Sequence, residues 1–297
     1  MPLNSMGRAL DAAAGHFARG LRRSLLSELR AAAQLNELSL HYQPRVALPD
    51  GSPRGAEALL RWTNPFYGEV SPARFIPLAE ASGLILPLGG WVLREATKEA
   101  ASWPGGGILS VNVSARQVEA GVLEAQLDQA LAESGLPPER LELELTESLA
   151  LAESEEVRGT LARLRQRGVG LALDDFGTGH ASLARLRRLP FSSVKLDRLF
   201  LGDLPRDAGN AAILRAVRQI ASALRVKLVA EGVEQPEQRD FLTEIGCEEA
   251  QGWLFAYPMP AAALRDYWHR AALPSAAPRP MAGAAGAPSL ATALPSR

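Results

Sequence analysis

The chain contains one cysteine, Cys247, and four histidines in 297 residues. A lone cysteine excludes an internal disulfide framework, and histidines this sparse exclude a zinc site of the usual Cys/His spacing. A reducing, cytoplasmic setting is expected. Long apolar runs are missing as well: no stretch approaches the roughly 20 residues that cross a bilayer, and the amino terminus lacks the compact apolar segment of a signal peptide. Charge of one sign is also lacking, with 32 Lys and Arg against 33 Asp and Glu, a net charge of -1. No global field draws such a chain onto duplex nucleic acid or an anionic membrane, so an anionic ligand must be held by local groups.

What is present is a hydrophobic fraction of 47%, enough for the core of one α/β domain of about 250 residues. Short apolar runs alternate with longer helical stretches from Leu38 onward, the pattern of βα units around a largely parallel sheet. The runs are Leu38 to Val46, Ala56 to Trp62, Ile108 to Val113, Leu141 to Leu145, Val169 to Leu173, Ser193 to Leu196, Val226 to Ala230 and Glu249 to Leu254. This number favours a closed barrel over an open sheet. Pro49 to Ser52 is too short for a crossover helix, so the first two runs are expected to pair as an antiparallel hairpin. Before the barrel (38–270), apolar residues at Leu10, Ala13, Phe17, Leu21, Leu25 and Leu29 mark an amphipathic connector helix within 1–37. Periodicity leaves open whether it packs on the domain or links to another module. The tail, 271–297, is rich in Ala and Pro and too poor in large side chains to build a core.

The carboxylates carry the functional signal. Catalytic groups of a barrel sit at the C-terminal ends of its strands. Glu57, Asn112 and Glu144 each lie between apolar neighbours in a run, so alternation turns them to the opposite, inward face. Asp174 and Asp175 follow the fifth run, Lys195 lies within the sixth, and Glu231 ends the seventh. Taken singly, each has an ordinary reading: a rim charge, a glycine-rich turn, a snorkelling lysine. Together they place four or five carboxylates at one mouth, an arrangement that like-charge repulsion opposes unless cations balance it. Oxygen donors favour hard ions such as Mg²⁺ or Mn²⁺, and paired ions about 3.5 to 4 Å apart suit in-line displacement at a phosphodiester.

Set in order, the motifs are Glu57-Ala58-Leu59, Val111-Asn112-Val113-Ser114, Glu144-Leu145-Thr146-Glu147, Asp174-Asp175-Phe176-Gly177-Thr178-Gly179, Lys195-Leu196-Asp197 and Glu231-Gly232-Val233-Glu234. They resemble the signature of the EAL family of cyclic di-GMP phosphodiesterases from about Leu38 to Trp268, with further matches at Tyr42-Gln43-Pro44 and Gln251-Gly252-Trp253-Leu254-Phe255. The resemblance implies a TIM-like (β/α)8 barrel with one antiparallel strand and hydrolysis of cyclic di-GMP to linear pGpG. Glu57, Asn112, Glu144, Asp174, Asp175 and Glu231 would hold two Mg²⁺ or Mn²⁺ ions. Glu57, Lys195 and Glu231 would take part in catalysis, Lys195 by orienting or activating water, with a general-base role for Glu231 left open. Gln43, Arg61, Asn112, Asp197, Glu234 and Gln251 would contact or support the substrate site.

The loop from Asp175 to Leu183, with Phe176, Gly177, Thr178 and Gly179 and anchored by Glu147, resembles the family's link between metal site and dimer interface, which implies a homodimer. His180-Ala181 stands where the family usually has Tyr-Ser; His180 itself reads as a surface loop histidine. The helix before Leu38 resembles the connector after a GGDEF cyclase domain, so an upstream sensory or GGDEF module outside these residues is an expected partner. Two rival readings remain: a cyclic di-GMP receptor without turnover, and a regulatory interaction module.

Overall fold

A computed structural model describes residues 24–32, 34–146, 154–176 and 189–272. Among these residues, eight strands close into a barrel: β1 (Leu38–Ala47), β2 (Pro53–Asn64) and, after the short outer strand β3 (Gly68–Val70), β4 (Ile108–Val113), β5 (Leu141–Thr146), β6 (Gly170–Phe176), β7 (Ser193–Leu196), β8 (Lys227–Ala230) and β9 (Glu249–Gln251). A two-residue strand, β10 (Met259–Pro260), pairs with β1 beyond the reach of β9. From β2 to β9 every barrel pairing is parallel. β1 alone among the barrel strands runs antiparallel to both neighbours, β2 and β9.

The expected hairpin forms because the link between β1 and β2 is a tight turn. The Ala47 N–H donates to Ser52 O at 2.8 Å, Asp50 Oδ1 accepts from the Ser52 N–H at 2.9 Å, and Gly51 takes the left-handed conformation (φ 68°) that a side chain disfavours. The register then slips by one residue between Arg45 and Val46. Such a bulge re-aims the side chains on either side of it. The last run ends at Gln251 rather than Leu254, since Gly252 (φ 155°) lies against Val233 and turns the chain out of the sheet.

The helices are α1 (24–32), α2 (Pro72–Ser82), α3 (Ile85–Ala101), α4 (Ala115–Glu119), α5 (Leu123–Ser134), α6 (Glu155–Gln166), α7 (Ala208–Leu224), α8 (Pro236–Glu244) and α9 (Ala261–Ala272). They pack their apolar stripes on the outward faces of the strands. In α6 the buried side is Val157, Thr160, Leu161 and Leu164, the i, i+3, i+4, i+7 pattern of a core-facing helix. A second apolar cluster joins Leu25, Leu29 and Ala32 of α1 to Trp62 and Phe75, so the described end of the connector helix packs on the domain. No described helix is long and apolar enough to cross a membrane. Residues 1–23, where the sequence also predicts helix, Glu147, Gly177, Thr178, Gly179, His180, Ala181 and the tail from 273 lie outside the described residues.

Candidate active site

Strand alternation turns one polar side chain from nearly every barrel strand toward the C-terminal mouth. Glu57 on β2 is buried, and both its oxygens are held: Oε1 accepts from Asn112 Nδ2 of β4 at 2.7 Å, Oε2 from Gln251 Nε2 of β9 at 2.6 Å. At the centre lies Lys195 of β7, 1% exposed. Its Nζ stands 2.5 Å from Glu231 Oε1, 2.6 Å from Glu144 Oε2, 3.4 Å from Glu57 Oε2 and 3.5 Å from Asp174 Oδ1. Glu144 comes from β5 and Asp174 from β6, and Glu231 follows β8, its N–H donating to Leu196 O at 3.0 Å. Gln251 Nε2 also reaches Glu231 Oε1 at 3.2 Å.

Four carboxylates therefore surround one ammonium, and burial sharpens the imbalance. For Glu144, desolvation and then the Glu57 charge push the carboxyl well above its usual range. Burial raises Glu231 to about 8 against the pull of Lys195, helped by Asp174 and Glu57. Glu57 goes the other way: burial opposes its charge, but Lys195, Gln251 and Asn112 together hold its pKa below normal. Lys195 is likewise desolvated, yet Glu144, Glu231, Glu57 and Asp174 raise it well above an ordinary lysine, so it stays charged at neutral pH.

The remaining expected residues fall around this centre. Gln43 on β1 faces Glu57 across the hairpin and donates from Nε2 to Ala256 O at 3.2 Å. Arg61, on the Glu57 face of β2, is half-buried, its guanidinium held to Leu60 O at 3.0 Å. Asp197 accepts from the Leu199 N–H at 2.7 Å and so shapes the turn after β7. Phe176 ends β6 buried in the core. The backbone of Asp175 lies in β6, while its side chain is outside the described set. Glu234 is not brought to the cluster: it is exposed, and it is its backbone N–H that makes a contact, with Gln238 Oε1 at 2.8 Å.

A buried ionic layer beneath the mouth escaped the sequence reading. Arg45 of β1 pairs with Glu142 Oε1 of β5 at 2.5 Å and with Glu249 Oε2 of β9 at 2.8 Å, and donates to Ser110 Oγ of β4 at 3.2 Å. Ser193 Oγ of β7 donates to Glu142 Oε2 at 2.7 Å. Each of these residues precedes a mouth residue by two positions on a parallel strand, or follows one by two on antiparallel β1. The alternation that exposed the upper layer thus pointed to the lower one as well.

The donor set suits hard divalent cations. It is all oxygen, its negative charge exceeds its positive, and buried Glu144 Oε1 has no hydrogen-bond donor among the described residues. As they stand, no three His, Cys, Asp or Glu side chains among the described residues are arranged to grip a metal ion. The Lys195 ammonium fills the space between them.

A mostly parallel barrel carrying an acidic, lysine-centred mouth at the C-terminal strand ends has the layout in which (β/α)8 barrels place their active sites. The family profile described as the EAL domain matches residues 26–258, and this chain belongs to the EAL-domain family of cyclic di-GMP phosphodiesterases. It is 44% identical over 241 residues to the bifunctional diguanylate cyclase/cyclic di-GMP phosphodiesterase MucR of Pseudomonas aeruginosa, covering 80% of this chain and 35% of that protein. To the cyclic di-GMP phosphodiesterase PdeR of Escherichia coli it is 39% identical over 247 residues, covering 82% and 37%. The solved structure of the PaMucR phosphodiesterase in its c-di-GMP complex superposes with a TM-score of 0.76 at 44% identity, over 81% of this chain and 99% of that one. The chain spans about a third of the length of these curated relatives.

Proposed function

We propose that this chain hydrolyses cyclic di-GMP to linear pGpG with two Mg²⁺ or Mn²⁺ ions held by Glu57, Asn112, Glu144, Asp174, Asp175 and Glu231. Water adds at one phosphorus, the bond to the 3′ oxygen breaks, and that oxygen leaves with a proton. The observation that carries the reading is the convergence of Glu57, Glu144, Asp174 and Glu231 around Lys195 at one barrel mouth, in a chain 44% identical over 241 residues to a bifunctional diguanylate cyclase/cyclic di-GMP phosphodiesterase.

Such ions, when bound, activate water and neutralise the attacking and leaving oxygens of an in-line displacement. The chain's own groups do the rest. Asn112 and Gln251 grip the two oxygens of Glu57, so this carboxylate is presented in one orientation. Lys195 remains protonated; it orients water or a phosphate oxygen as a hydrogen-bond donor and does not take a proton. Glu231 Oε1, within 2.5 Å of Lys195 Nζ and 3.2 Å of Gln251 Nε2, is the site for a proton if a side-chain base is used. Arg61 offers a planar fork suited to the second phosphate, and Gln43 lines the cleft. The segment with Glu147, Phe176, Gly177, Thr178 and Gly179 would couple this site to a homodimer contact. Asp197 and Glu234 would brace the loops after β7 and β8, and a sensory or GGDEF module elsewhere in a longer protein would regulate it.

Purified chain with Mg²⁺ or Mn²⁺ should convert cyclic di-GMP to pGpG, identified by chromatography. Glu57→Ala should lower turnover by at least about 100-fold. Tight binding of cyclic di-GMP with no product in either metal would replace the enzyme reading with that of a receptor.

A further inference from the structure

The arch that joins β9 to β10 carries two large side chains left in the open. Trp253 is 54% exposed and Tyr257 63%, and their rings stack on one another with centroids 5.3 Å apart and planes 31° apart. The arch starts directly after Gln251, whose amide touches Glu57 and Glu231. It ends beside the part of β1 that lies at the mouth, where Met259 pairs with Tyr42.

Its backbone is firmly held. Val233 N–H donates to Gln251 O at 3.1 Å, Leu254 N–H to Val233 O at 3.0 Å, and the N–H groups of Phe255 and Ala256 both to Gly252 O at 3.1 Å. Gln43 of the neighbouring strand β1 donates to Ala256 O and ties the arch to the rim beside it. Gly252 lies so close to Val233 that a Cβ would stand 2.2 Å from its carbonyl oxygen. An aromatic pair exposed on a fixed backbone beside a reactive centre marks a surface built to be covered.

We infer that Trp253 and Tyr257 form a stacking platform for one guanine base of the bound cyclic dinucleotide, an inference that rests on the phosphodiesterase reading above. The mouth offers oxygens, amides and one ammonium, which suit a phosphodiester and give a purine ring no apolar face. When the scissile phosphate lies there, the bases attached to the macrocycle project to the rim. Stacking on an aromatic face holds any purine by its π surface. The platform therefore supplies affinity, and the choice of guanine over adenine falls to other groups.

The test pairs two substrates. Trp253→Ala should raise KM for cyclic di-GMP by about 5- to 150-fold, the range spanned by one base–aromatic stack, with little change in kcat. The ratio of kcat/KM for cyclic di-GMP to that for methyl 4-nitrophenyl phosphate, a diester without a purine, should fall by the same factor. Trp253→Phe should restore both. Wild-type tryptophan fluorescence should be quenched by cyclic di-GMP and that of Trp253→Phe should not, an arm that works even in a protein without turnover. An unchanged ratio, or equal loss on both diesters, would overturn the platform and leave the phosphodiesterase reading standing. Failure of the wild type to cleave cyclic di-GMP while its fluorescence is still quenched would instead sink the enzyme reading and keep the platform.

Discussion

Lys195 holds together groups that would otherwise repel. Among the described residues it faces four carboxylates, and removing a buried ion's partner typically costs about 3 to 5 kcal/mol. Lys195→Met should accordingly lower the melting temperature of metal-free protein and cut kcat by at least about 100-fold. The pH dependence has a definite sign. Glu144 and Glu231 have folded pKa values raised above the unfolded value of 4.5, Glu231 to about 8. Across that window the native state binds more protons than the unfolded one, so stability falls as pH rises. Thermal melts in chelator should show a decline between about pH 5 and 8. Saturating Mg²⁺ or Mn²⁺ should raise the melting temperature and flatten the decline, because cations favour the ionised carboxylates. A melting temperature indifferent to both ions would speak against the proposed ligand set.

The strand is the element through which this sequence was legible. Apolar runs bounded by turns gave the barrel strands, with β4 and β7 matching from end to end. Polar residues inside or just after six of those runs gave the mouth. Arg45, Glu142 and Glu249 obey the same alternation and went unread because a buried ion triplet has no chemistry to announce it. Nor could periodicity show that β1 is bulged at Arg45. The layer itself is testable. Burial opposes the charge of Glu142, but Arg45, its ion pair and hydrogen bond, holds the pKa down from 4.5 to about 2. A depressed carboxylate contributes stability above its unfolded pKa and loses it as pH falls through the folded one. Wild-type stability should therefore drop between about pH 4.5 and 2, by on the order of 3 kcal/mol from this group. Glu142→Gln should abolish that acid limb and cost about 3 to 5 kcal/mol at neutral pH by leaving Arg45 short of a partner. Acid titrations of both proteins, followed by circular dichroism, would separate the two.

For the whole molecule, the open question in the sequence was what α1 packs against, since a stripe at helical spacing names a face and not its partner. The described residues answer it: Leu29 is 5% exposed against a cluster with Trp62 and Phe75. Glu37, just beyond the helix, accepts from Trp62 Nε1 at 2.9 Å and Asn64 Nδ2 at 3.0 Å. Trp62 and Asn64 belong to β2, the strand that bears Glu57, so the helix braces that strand from outside while Asn112, Gln251 and Lys195 grip Glu57 from within. The two supports act on different properties. Leu29→Ala should cost about 2 to 5 kcal/mol of stability, near 2 to 4 °C of melting temperature per kcal/mol for a domain of this size. Below the melting transition its kcat/KM should stay within about twofold of wild type, because the cluster around Leu29 contains none of the mouth side chains. A large loss of activity in a well-folded Leu29→Ala protein would mean that the helix acts on the mouth through β2 and not only on the stability of the barrel.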